Sequence, residues 1–205
     1  MAENKYSLHK LRVHTETVRK ATQELTMKCS TELEEAILTF ENCVKAIEKE
    51  EQSLGCNVRL LLATQFFNHA YSALLLSEAG LVVNALSCER SALETLAVFR
   101  LVSLAPEYAK TYDTDDFPRP VEVRKRLEEL GLADEVRHIR ELYSWISNVL
   151  HVSRSSERWN SKWLSKDQGI LLFGGSFDEN NHREMLRFLP ALLHWFVQPL
   201  NKESE

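Results

Sequence analysis

Tyr143, Ser147 and His151 recur at every fourth residue in the stretch "YSWISNVLHVSRSS". At about 100° per residue they form one polar stripe on a helix. The apolar side of the same helix carries Leu142, Trp145, Ile146, Val149 and Leu150, so the stripe runs along a flank. A flank position can face water or a neighbouring helix. Upstream, Arg90 and Glu94 stand one turn apart in a segment otherwise almost devoid of charge. If that segment is central to a bundle, both charges need partners. The economical expectation is that Arg90 and Glu94 meet Tyr143, Ser147 and His151. A cation, a carboxylate, two hydroxyls and an imidazole in one place could bind a phosphate or a base edge. They could equally satisfy one another as an inert network that fixes helix register.

Beyond His151 the chain places Arg154, Arg158, Lys162 and Lys166 at every fourth residue, with Trp159 and Trp163 between them. From 151 to 166 there are four basic side chains against one acidic, Glu157, a net of +3. As a helix this is a basic stripe beside an aromatic one, able to hold a single strand through phosphate contacts and base stacking on Arg154, Arg158, Trp159, Lys162 and Trp163. The alternative is a solvated segment whose tryptophans anchor it, with cationic stems lying over apolar surface. Glu135 and His138 form an E-x-x-H on a helix, the spacing of carboxylate-bridged metal sites, but such a site needs a second E-x-x-H and two more carboxylates. The one other match, Glu179 to His182, falls at a helix start. That set is incomplete, so no metal ligand is assigned. No Walker loop, G-x-G-x-x-G or G-x-S-x-G is present, and no cofactor is called for.

The elements that must position these groups are helices. In 205 residues there are only 6 Gly and 5 Pro, too few breakers for a strand-rich fold. Leu8, Leu11, Val18 and Leu25 make a thin amphipathic stripe within the first 30 residues, a helix expected to pack on a partner or a second copy. Ser30, Thr31 and Glu34 read as a capping box before Leu33, Ile37, Phe40, Val44 and Ile47, with Gly55 as the stop. Residues 58–78 and 80–105 are apolar nearly all round, as helices in the middle of a bundle are. Gly80 marks the turn between them, Pro106 ends the second, Pro120 opens a further helix and Gly131 closes it. Residues 132–152 and 180–200 are again helical, the last with an internal Pro190. "GILLFGG" (169–175) reads as a short β strand or hairpin. The expected fold is all-α: one domain over 1–205, a mostly antiparallel helical bundle with that minor β element.

A net charge of −5 argues against non-specific coating of nucleic acid, though not against a local basic patch. No apolar run reaches the ~18 residues of a spanning helix. The polar N-terminus has no apolar core of a secretion signal. The four cysteines include no C-x-x-C pair. These features read as a reduced, cytoplasmic chain without a membrane partner.

"CERSALETLAVFRLV", followed some way on by "YSWISNVLHVS", then "ILLFGG" and a closing helix, resembles one branch of the HEPN-like all-helical bacterial domains over roughly residues 58–200. The resemblance rests on an R-x3-E in a central helix and a later Y-x3-S-x3-H. It implies a module that binds RNA or a nucleotide, since many such proteins cleave RNA and others bind nucleotides. Their ribonuclease signature is an Arg followed by a polar residue with a His four to six residues on. Here Ser147 and Asn148 precede His151, and Arg140 is too distant, so the nucleolytic Arg is missing and recognition without cleavage is expected. If cleavage occurs, His151 is the general acid or base and Arg90 stabilises the charged phosphate. The competing expectation is a non-catalytic protein-interaction or dimerisation module, acting as a homodimer or with another protein. A bundle metal site is a distant third.

Overall fold

The computed structural model describes residues 8–112, 114–150, 161–163, 169–171 and 178–198, with backbone alone for Leu8, 161–163, 169–171 and Asn181. Among the described residues there are seven α-helices: α1 (Leu8–Lys28), α2 (Ser30–Glu48), α3 (Leu54–Glu78), α4 (Val82–Leu104), α5 (Pro120–Glu129), α6 (Ala133–Leu150) and α7 (Glu179–Val197). A 3₁₀ turn, Pro106–Lys110, follows α4. The described β structure is one antiparallel pair, β1 (Ser161–Trp163) and β2 (Gly169–Leu171), with Ser161 opposite Leu171. Three residues per strand is too little to make a layer, so the fold is all-α. Residues 172–175 lie outside the described residues.

Local chemistry sets the breaks. Gly80 at φ 73° and Gly131 at φ 94° take the left-handed conformation that a side chain disfavours, and they close α3 and α5. Pro120 opens α5, where Glu122 accepts from the Arg119 amide. Gly55 does not stop α2. That helix ends at Glu48, and Gly55 sits in the first turn of α3, whose N-cap is Ser53. The Ser53 hydroxyl accepts from the Cys56 amide at 3.1 Å. Ser53→Ala is therefore expected to lower the stability of the chain by about 1 kcal/mol, read as a shift of the denaturation midpoint. The Ser30/Thr31/Glu34 capping box is not formed either. Only Cys29 separates α1 from α2, so the α2 N-terminus follows directly on another helix and its cap makes no side-chain bond.

α4 is the central element. It packs on α3, α5, α6 and α7, and its buried residues fall on every side of it, from Val82 and Leu86 to Leu101 and Val102. One core joins α2, α3, α4 and α7, with Ile146 and Val149 of α6. In it Phe196 meets Phe40, Phe66 and Phe99 with ring centroids 5.0, 4.6 and 4.1 Å away. Burying each such ring stabilises the fold by about 1.5–3 kcal/mol. A second core, with Leu101, Val123, Leu127, Val136 and Ile139, binds α5 and α6 to the far side of α4. The N-terminal helix packs on its own chain: α1 lies on α2, α3 and α7 and buries Val18, Thr22 and Leu25 there. Among the described residues no helix is long and apolar enough to cross a membrane.

Candidate functional site

Arg90 and Glu94 share one face of α4, and α6 brings Tyr143 onto it. Arg90 Nε is 3.5 Å from Glu94 Oε1. Arg90 Nη2 donates to the Tyr143 hydroxyl, and its guanidinium carbon stands 4.4 Å from the centroid of the tyrosine ring. The expected meeting of the α4 pair with the α6 stripe thus occurs at Tyr143. Burial raises the Tyr143 pKa above the usual phenol value. The hydrogen bond to Glu94 and its charge push the same way, and Arg90 opposes them. The phenol donates a hydrogen bond to Glu94 while accepting one from Arg90.

A second cation joins from α5. Arg124 lies 5.0 Å from the same ring centroid, so two guanidiniums address one phenol, an arrangement that the ring quadrupole stabilises. Arg90 and Glu94 offset one another, and Arg124 makes no ion pair among the described residues. The cluster therefore presents a net positive charge. It borders a cleft of about 370 Å³ between α3, α4, the connector before α5 and α5 itself. Glu94 and Arg124 line this cleft together with Gln65, His69, Tyr112 and Phe117. Tyr112 donates to Gln65 Oε1 at 3.2 Å, and its ring stands edge-on to Phe117 at 5.6 Å, which fixes one wall. The Thr95 hydroxyl is occupied with the Ser91 carbonyl of its own helix. Arg124, Glu94 and His69 remain as the ionisable groups turned to the cleft.

Ser147, one turn beyond Tyr143, has a buried hydroxyl with no hydrogen-bond partner among the described residues. His151, Arg154, Arg158 and Trp159 lie outside the described residues. Lys162 and Trp163 fall on β1, of which the backbone alone is described, so the segment 154–166 is not a helix throughout. Arg124, His69 and Gln65 were not legible as site residues: Arg124 sits in the charged run "VRKRLEE", which reads as a solvated face, and His69 is a lone imidazole in an apolar helix.

The two E-x-x-H pairs are engaged elsewhere. Glu135 accepts from the buried Arg100 at 3.0 Å, and His138 stands edge-on to Trp195 with centroids 6.3 Å apart. Glu179 pairs with Arg183, while His182 Nδ1 lies 2.7 Å from the Ser77 hydroxyl. Among the described residues no three His, Cys, Asp or Glu side chains gather to hold a metal ion. Taken together, the structure defines an all-α bundle protein with a partly apolar cleft, lined by Glu94 and Arg124, beside the Arg90–Tyr143 contact. No family model, curated protein or solved structure matches this chain.

Proposed function

We propose that the chain is a binding module for a phosphate-bearing ligand, a nucleotide or a single-stranded RNA end, and that it recognises this ligand without cleaving it. The observation that carries the reading is the placing of Arg90 and Arg124 on one tyrosine beside a cleft of about 370 Å³. A guanidinium presents a planar fork matched to phosphate oxygens. Arg124 supplies the uncommitted fork, and Arg90, held by Glu94 and Tyr143, supplies fixed positive potential. The cleft is within the size range of small-ligand sites, and its Gln65, Tyr112 and Phe117 wall offers a base both an amide edge and aromatic faces. The HEPN-like resemblance supports the same ligand class, as does the absent nucleolytic Arg for recognition without cleavage. On the RNA form of this reading Arg154, Arg158, Trp159, Lys162 and Trp163 guide the strand, and His151 and Ser147 complete the polar stripe.

The test is titration calorimetry of the wild type with nucleoside monophosphates and a short single-stranded RNA, repeated with Arg124→Ala. Loss of a charge-assisted bidentate contact of about 1.5–3 kcal/mol should weaken binding about 10- to 100-fold. The melting temperature should stay close to that of the wild type, because Arg124 is only partly buried and makes no ion pair among the described residues. Binding unchanged in Arg124→Ala, or no binding by the wild type to any ligand in the panel, sinks the proposal.

A further inference from the structure

The outward side of α3 carries a different signal from every other exposed helix face. Leu54, Asn57, Leu61, Thr64, Asn68, Tyr71 and Leu75 are all exposed. Their spacing alternates three and four residues without a break, and none of them is charged. The exposed side of α2, by contrast, carries Glu34, Glu35, Glu41 and Lys45. A solvated helix face normally carries charge. A 3-and-4 repeat is the seam of a two-helix coiled coil, one residue every 3.5 along the helix. The four large members are open to water: Leu54 at 55%, Leu61 at 47%, Tyr71 at 48% and Leu75 at 37%. Half-buried Leu60, Phe67 and Leu74 widen the stripe along one margin, and the Tyr71 ring stacks on Phe67 with centroids 6.1 Å apart.

From these features we infer that α3 is a self-association surface whose occupant is the same stripe on a second copy of the chain, running antiparallel about Thr64. The register is self-complementary. Reversing the seven positions places Leu54 opposite Leu75 at both ends and Asn57 opposite the Tyr71 hydroxyl. It also places Leu61 opposite Asn68, and Thr64 opposite its own copy on the two-fold axis. Such an isologous contact repeats every pair twice except the one on the axis. With no charge on the seam, a copy is not repelled, and a strongly charged partner finds nothing to pair with. The stripe is roughly 32 Å long at 1.5 Å per residue and roughly 10–12 Å wide. That footprint is about 350 Å² per copy, about 700 Å² for the pair, below the standard specific interface and of the size of a weak, reversible dimer.

None of the seven seam residues lines the cleft at Arg124, although Gln65 and His69 of the same helix do, so the two readings are tested by different variants and either can fail alone. The test is sedimentation equilibrium of the wild type and of Leu61→Glu between about 1 and 100 μM, with circular dichroism as the check on folding. The wild type is expected to pass from monomer to dimer across this range. Leu61→Glu is expected to stay monomeric with unchanged helicity, because residue 61 is exposed. In the double variant Leu61→Glu, Asn68→Lys each new carboxylate faces a new ammonium of the other copy, and dimer should return. A wild type that is monomeric throughout, or a Leu61→Glu that still dimerises, overturns the inference. A double variant that remains monomeric overturns the antiparallel pairing.

Discussion

Replacing Arg100 by methionine should destabilise the chain by about 3–5 kcal/mol, the range found when one partner of a buried ion pair is removed. Arg100 is 1% exposed, the most deeply placed charge among the described residues along with Glu89. Its guanidinium is shared among three acceptors on two elements. Nε donates to Glu135 of α6, Nη1 to the Gln198 carbonyl at 2.7 Å and Nη2 to the Trp195 carbonyl at 2.5 Å. Both carbonyls belong to the end of α7, where a helix leaves its last acceptors unmatched. One side chain thus closes the α7 terminus and ties it to α4 and α6. Methionine fills the volume but, among the described residues, leaves the Gln198 carbonyl and the Glu135 carboxylate without that donor and the Trp195 carbonyl with only the Gln198 amide at 3.4 Å. Burial already raises the Glu135 pKa despite the charge of Arg100, so the carboxyl takes up a proton more readily once that charge is gone.

Against a whole-domain stability of about 5–15 kcal/mol, such a loss decides between a folded and a largely unfolded chain. Arg100→Lys keeps the charge without the fork and should fall between methionine and wild type in denaturant midpoint. A midpoint for Arg100→Met within about 1 kcal/mol of wild type would show that α7 is not held by this clamp.

What the sequence discloses about this molecule divides along the range of the forces involved. Gly80, Gly131 and Pro120 are legible because their constraint is local: a positive φ or a missing amide is decided within one turn. Gly55 is misread because a glycine after a charged run resembles a stop, while the governing signal, Ser53 two residues earlier, is one common serine among many. Charge in an apolar helix correctly points to Arg90, Glu94 and their meeting with Tyr143. It does not rank the charges of α4 by depth. Arg90 and Glu94 are about one-third exposed, whereas Glu89, next to Arg90 in sequence, and Arg100 are buried. One residue is 100° of rotation, and which side of α4 meets α7 rather than the cleft depends on helices far away in sequence. The exposed face of α3 is hidden from composition for the complementary reason. Its Asn57, Thr64 and Asn68 break the apolar count without contributing charge, so the segment resembles a helix buried all round.

The second large effect concerns Glu89, and its sign follows from the missing partner. The side chain is 1% exposed and its Oε2 has no hydrogen-bond partner among the described residues. It borders a void of about 10 Å³ with Ser77 and Met185, at the lower limit of what one water needs. Burial therefore raises its pKa well above the ordinary carboxylate value, so the folded chain holds this proton to higher pH than the unfolded chain does. The unfolded chain releases that proton above a pH of about 4.3. The stability it allows is whole below that pH and is lost as pH rises through the folded value, at up to about 1.4 kcal/mol per unit.

His182 has the opposite slope. Its ring is buried beside Ser77, Thr26 and the Thr22 carbonyl, and burial lowers its pKa, the Thr22 contact opposing. Its contribution is whole above about 6.5 and is lost as pH falls through its depressed folded value. Where the two ranges overlap the slopes offset each other, and of these two groups Glu89 alone keeps a slope above about 6.5. Glu89→Gln keeps the shape and removes the titration. Its advantage over wild type should grow with pH above about 4.3, reaching about 1–3 kcal/mol on the alkaline side, while the acid limb set by His182 persists. Urea midpoints of both proteins from about pH 4 to 9 measure this directly. A difference that stays constant over the range would mean that Glu89 is ionised in the folded chain, with its charge met by a partner outside the described residues.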